Sequence, residues 1–353
     1  MAQGPATIAV ISAALLQGQR QVEIYGLTPG AASYTLARIW RELQRPLLLV
    51  VPNPALQDSF CRDFKFFLRE TEEEDDASGP VFSFPAYEDL DFVDLAWDCQ
   101  IPSRRLEAAY VLASRRRVPV VVASATALLQ PLPPRERLVV ATEYLVGAEV
   151  NREKLVAQLE AGGYQRRALV EERGDYSVRG GVLDFFPPLA SYPIRVEFWG
   201  DQVESLREFN PVTQRSLKHL EEIEILPVSE VLLDQATQKA ASHRLRAVKN
   251  PQLHECLQRR QHCPQMVRYL AAFYERVETL WDYLPEDTLV AVWEPLALRR
   301  EWEKYLQTLE GLPAFAPAPP CTWEELSSRF TLLQLESTPW FPGPEAPAVA
   351  FQV

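Results

Sequence analysis

The sequence predicts an α/β protein with a parallel sheet and a second domain of α+β type. Three observations predict this. Short apolar runs alternate with helical segments through residue 125, the signature of βαβ units. Between 164 and 215 the pattern changes to hairpins with period-2 alternation. Beyond 229 it becomes largely helical and then rich in proline.

The elements follow in order. Residues 22–25 form a first strand, punctuated by Gly26-Leu-Thr-Pro-Gly30, and 33–43 a helix. Residues 47–51 read Leu-Leu-Leu-Val-Val, a run apolar on both faces as a buried parallel strand requires. A helix over 55–70, an acidic loop at 72–76, a strand at 81–84, a helix over 104–116 and a buried strand at 118–123 follow. The pattern therefore divides the chain into an α/β part at 1–125, an α+β part at 126–228, and a helical, then proline-rich part at 229–353. A helix over 152–160 opens the hairpin region. Ile194, Val196 and Phe198 alternate with Arg195, Glu197 and Trp199, with Gly200-Asp201 as the turn. Residues 229–310 read as mostly helical, with a long amphipathic stretch at 265–283. Residues 313–320 and 339–344 read as an extended connector. The last residues look like a strand, so the chain reads as part of something longer.

Composition bounds the function. Hydrophobic residues make up 47% and charged residues 24%, as in an ordinary folded protein. A net charge of −12 argues against a general nucleic-acid binder, whose basic stripe is missing here. The five cysteines (61, 99, 256, 263, 321) are scattered and odd in number, which reads as free thiols in a reducing cytoplasm. The opening residues lack a charged-then-apolar leader pattern, and no apolar run approaches a membrane span.

Candidate chemistry is sparse. Gly26-Leu-Thr-Pro-Gly-Ala-Ala-Ser33 has the frame of a phosphate loop. Gly26, Gly30 and Ser33 stand in place, but Ala31 replaces the second glycine of the motif and Ala32 replaces its lysine. An NTPase-like fold without its nucleotide is the expected reading. His254, Cys256, His262 and Cys263 do not match a zinc-finger spacing, so no metal is expected. No nucleophile elbow or triad ordering occurs. The run Arg115-Arg-Arg117 complements a helix C-terminus.

Residues 164–215 hold seven arginines and no lysine. One reading is a solvated sheet face with cross-strand ion pairs. The other is an interface, because Tyr176 and Trp199 are expected to be exposed beside the arginines, and Tyr, Trp and Arg dominate binding hot spots. The residues leave both open.

Three motifs carry a resemblance. They are Gly163-Tyr164 followed by Val170-Glu-Glu-Arg-Gly-Asp-Tyr-Ser-Val-Arg-Gly-Gly-Val-Leu-Asp-Phe-Phe-Pro187, then Pro193-Ile-Arg-Val-Glu-Phe-Trp-Gly-Asp201, and Phe84-Pro-Ala-Tyr-Glu-Asp-Leu90. Together they resemble the transcription-repair coupling factors (the Mfd family) and, more broadly, the UvrB-homology module shared with UvrB. The resemblance covers residues 10–230 well. It implies a degenerate RecA-like domain at 1–125, with Ala31 and Ala32 marking the lost phosphate loop and residues 229–353 returning to complete it, and an inserted domain at 126–228 that binds UvrA through Arg166, Arg179, Arg195 and Glu197, beside which Trp199 is the expected aromatic contact. A further arginine of UvrB corresponds to Ser177 here. The resemblance also implies a bacterial, cytoplasmic, monomeric module acting in nucleotide excision repair, with no catalysis and no cofactor in this chain. RNA polymerase, double-stranded DNA, ATP and magnesium belong to later parts of such proteins, where a further domain can mask the UvrA surface. The rival reading is a UvrB-like ATPase that binds damaged DNA.

Overall fold

The computed structural model describes residues 8–69, 79–88, 98–138, 142–309, 325, 328–338 and 350–352. The acidic run at 72–76, residues 89–90, Cys321 and both proline-rich segments lie outside the described residues.

Fifteen strands are described. They are β1 (Gln21–Tyr25), β2 (Leu47–Val51), β3 (Val81–Phe84), β4 (Val120–Ser124), β5 (Thr142–Leu145), β6 (Gln165–Arg166), β7 (Asp175–Arg179), β8 (Val182–Phe185), β9 (Ile194–Trp199), β10 (Gln202–Phe209), β11 (Ser216–Leu220), β12 (Glu222–Ile225), β13 (Leu289–Trp293), β14 (Thr331–Leu335) and β15 (Ala350–Gln352). Seven form a parallel sheet in the order β15-β1-β14-β13-β2-β4-β3.

Alternate strand residues feed two separate cores. Leu47, Leu49 and Val51 join helices Ile8–Leu16, Pro29–Leu43 and Pro54–Leu68 on one face, through Ile11, Leu36, Phe60 and Phe64. Leu48 and Val50 face helix Gln100–Ser114 and Trp281 on the other. Burial on both faces explains why these strands read as unbroken apolar runs. Asn53 caps its helix by accepting from the Leu56 N–H at 3.0 Å, and Pro54 at the first helical position has no N–H to satisfy.

Two expectations are corrected here. Leu289–Trp293 lies in the middle of the sheet between β14 and β2, not in a helical stretch. The stretch at 265–283 is broken into the short helices Gln265–Arg268, Leu270–Phe273 and Leu280–Tyr283. Between them Leu132 and Glu278 bridge two passing segments. Residues 127–138 also pack with the α/β core, where Leu128, Leu132 and Leu138 are buried, and β5 beyond them pairs with β12 in a two-stranded sheet of its own.

The second sheet has the order β11-β10-β9-β8-β7-β6, antiparallel except where β6 meets β7. Its inner face, with Tyr176, Leu183, Phe185, Val196 and Leu206, buries itself with Leu155 and Leu159 of helix Arg152–Ala161 and with Ile223 and Ile225 of β12. A parallel α/β core thus carries a separate strand-rich insertion, the arrangement of a RecA-like domain with an inserted domain.

At the junction of the two units sits one buried ion pair. Arg105 Nε donates to Glu230 Oε1 at 2.6 Å, and both side chains are 0% exposed. The guanidinium also donates to the carbonyls of Pro85 (3.0 Å) and Pro131 (3.1 Å) and to Gln130 Oε1 (3.3 Å). It lies 4.4 Å from the Phe84 ring centroid and 5.1 Å from that of Tyr87. The 84–87 motif therefore builds the socket of an arginine that ties the core to the chain leaving the insertion.

Candidate protein-interaction face

Strand parity sorts the sequence-selected residues. Asp184 pairs with Arg195 across β8 and β9, and Arg195 pairs with Arg207 across β9 and β10. One step along, Val182 pairs with Glu197 and Glu197 with Ser205. These residues share the outer face, opposite the helix-packed one.

The outer face is laced by guanidinium–carboxylate contacts. Asp184 is 1% exposed and accepts from Arg195 Nε (2.7 Å) and Nη2 (2.8 Å) and from Arg179 Nη2 (2.6 Å). The Arg195 guanidinium stacks 4.6 Å from the Phe209 ring, and the Asp184 bonds hold its pKa above the usual guanidinium value. Glu197 accepts from Arg207 and, at 2.7 Å, from the Ser205 hydroxyl. The exposures differ sharply. The Arg195 side chain is 17% exposed, Glu197 29% and Arg179 47%. Trp199 is 77% exposed at the end of β9.

The two hairpin tips adjoin. Gly180 and Gly200 adopt φ of +59° and +61°, as tight hairpin turns require. Between them the Phe198 N–H donates to the Gly181 carbonyl at 2.8 Å. Arg152 donates to the Gly180 carbonyl, bracing that turn from the helix. Arg179 and Trp199 therefore emerge at the same end of the sheet, on the two strands that flank β8.

Not every selected residue joins them. Arg166 is exposed, but its register opposite Tyr176 sets it at the sheet edge on the helix-packed side. Tyr176, expected on the surface, is 1% exposed and donates its hydroxyl to Glu160 Oε1 at 2.5 Å. Ser177 is buried and donates to the Ala168 carbonyl. Sequence reasoning passed over Asp184. Its only signal was an acidic residue at an outward position between two strands carrying arginine.

The loop after β1 is closed off by the segment that follows β14. Gly26 and Leu27 donate their N–H groups to the carbonyls of Thr338 and Glu336, both at 3.1 Å. Thr28 caps the helix through the Ala31 N–H at 3.3 Å, and Pro29 has no N–H. Gly30 lies in the first turn, Ala32 is 0% exposed, and the Ser33 hydroxyl turns back to the Pro29 carbonyl at 3.0 Å. Among the described residues no three His, Cys, Asp or Glu side chains gather as a metal site needs. No described helix is long and apolar enough to cross a membrane.

Comparisons with known proteins bear on the same residues. Residues 143–231 match the family described as the UvrB interaction domain. The chain is 34% identical over 312 residues to a transcription-repair-coupling factor of Myxococcus xanthus, covering 84% of this chain and 26% of that protein. It is 27% identical over 317 residues to a transcription-repair-coupling factor of Bacillus subtilis, with 84% and 26% covered. It is also 26% identical over 321 residues to UvrABC system protein B of Acinetobacter baylyi, with 82% and 47% covered. The chain thus spans about a quarter of the coupling factors and under half of that UvrABC system protein B.

Proposed function

We propose, on the premise that this chain is a UvrB-homology module of the transcription-repair-coupling-factor family, that it works as an adaptor. In this reading it docks UvrA through the outer face of the second sheet and brings nucleotide excision repair to stalled RNA polymerase. One observation carries the proposal. The stretch matching the UvrB interaction domain is the unit that presents Arg179 and Trp199 at adjoining hairpin tips. Tryptophan and arginine are among the usual residues of a binding hot spot.

No nucleotide chemistry is assigned to this chain. The N–H groups of Gly26 and Leu27 are engaged with carbonyls, and the buried Ala32 stands where the phosphate-binding lysine would be. ATP with magnesium, RNA polymerase and double-stranded DNA belong, in this reading, to other parts of coupling factors.

Calorimetric titration with UvrA, with and without ATP, tests the proposal. The parent should bind saturably, and an Arg179→Ala, Trp199→Ala double variant should lose binding while keeping its circular dichroism. Arg195 suits this test poorly, because its removal uncovers the buried Asp184 carboxylate and disturbs the sheet. A folded chain that does not bind UvrA, or a double variant that binds undiminished, overturns the assignment.

A further inference from the structure

We infer that Asp184 is a positioning residue of this face, holding the Arg179 guanidinium in the orientation that a carboxylate of the partner engages. The inference rests on the UvrA-docking reading. Asp184 itself is 1% exposed, so a docked protein cannot reach it, and its influence must pass through the arginines that cover it.

The geometry is that of a base plate. Arg195 fixes the Asp184 carboxylate with two bonds, Nε to Oδ1 at 2.7 Å and Nη2 to Oδ2 at 2.8 Å, and is itself backed by the Phe209 ring. This bidentate pairing sets the plane of the carboxylate. Oδ2 then accepts a third bond, from Arg179 Nη2 at 2.6 Å. Arg179 pairs with Val182, so Asp184 is its diagonal neighbour two residues along β8 on the same face.

Arg179 needs such an anchor. It is the last residue of β7, next to Gly180, and its side chain is 47% exposed. A free arginine there samples many rotamers, and ordering it on binding opposes association. Anchored through one Nη2 hydrogen, it keeps four N–H donors for an incoming carboxylate. Pre-paying that ordering is worth about three- to tenfold in affinity.

The experiment is a double-mutant cycle on UvrA binding, measured at moderate salt with the parent, Asp184→Asn, Arg179→Ala and the double variant. Asparagine fills the same space but accepts only weakly from two guanidiniums. Asp184→Asn should weaken binding about three- to tenfold. In the Arg179→Ala background it should weaken binding no further, because nothing is left to position. An Asp184→Asn variant that binds like the parent, or one that loses as much without Arg179 as with it, overturns the inference while leaving UvrA docking intact. A parent that does not bind overturns the docking reading instead. Should Asp184→Asn fail to fold, Arg179→Lys decides. It keeps the charge at an exposed position but lacks the planar fork, so binding should fall, and binding equal to the parent's counts against positioning.

Discussion

Removing Arg105 isolates one carboxylate in the buried junction between the two units. Arg105→Met preserves much of the side-chain volume against Phe84 and Tyr87 but leaves Glu230, 0% exposed, with no cation. The bond from the Tyr87 hydroxyl, at 3.3 Å, is a weak substitute. Breaking a buried pair in this way costs about 3–5 kcal/mol. At roughly 2–4 °C per kcal/mol, the thermal midpoint should drop by on the order of 10 °C. The pH dependence identifies the cause. Burial already raises the Glu230 pKa, and Arg105 is the chief influence lowering it again. Without Arg105 the folded-state pKa rises further above the unfolded one. A group shifted in that direction binds its proton more readily when folded, so its deficit grows as pH rises above the unfolded value and shrinks on acidification. The deficit of Arg105→Met, measured by urea unfolding, should therefore be larger at pH 8 than at pH 5. Adding Glu230→Gln should recover more than half of it. A loss below about 1 kcal/mol, as for an exposed ion pair, or a deficit equal at both pH values, refutes the reasoning.

Three further expectations follow from other sites. Burial pushes His262 down to about 4, with both ring nitrogens buried and the ring against the backbone of Glu160 and Ala161. Its folded pKa lies below the unfolded one, so stability present at neutral pH is lost as pH falls through about 6.5 toward 4. By pH 5 the loss should reach about 2 kcal/mol, and His262→Gln should flatten that slope in urea unfolding. Ala32→Lys forces a long side chain into a 0% exposed site, so it should lower stability by about 1–3 kcal/mol. It should also produce no rise in midpoint with millimolar ATP and magnesium, and a rise would show that the loop can reopen. Trp199→Ala alone should leave the midpoint unchanged, since the ring is 77% exposed, yet weaken UvrA binding at least about tenfold by calorimetry.

Much of the fold was legible locally. β2 and β3 occupy the residues that their apolar runs marked, and Pro54 and Pro29 start helices where proline at the first position is favourable. β13 was passed over because five apolar residues in a largely helical neighbourhood carry no periodicity of their own. Only its pairing with β2 and β14 makes it a strand.

The sequence by itself determined the α/β core, the two hairpins, the missing lysine and the family, because each is written in neighbouring residues. Only the tertiary structure decided which of the arginines on the outer face stay exposed and which are covered. Alternation tells that Arg195 and Val196 point to opposite sides, but not which side is covered, and that depends on where helix Arg152–Ala161 packs. Packing buried Tyr176, set Arg166 apart at the sheet edge, and committed Arg195 to Asp184, leaving Arg179 and Trp199 to meet solvent. Arg105 and Glu230, 125 positions apart, meet only because the chain leaving the insertion returns to the core. Such a contact depends on long-range closure, and no local pattern encodes it.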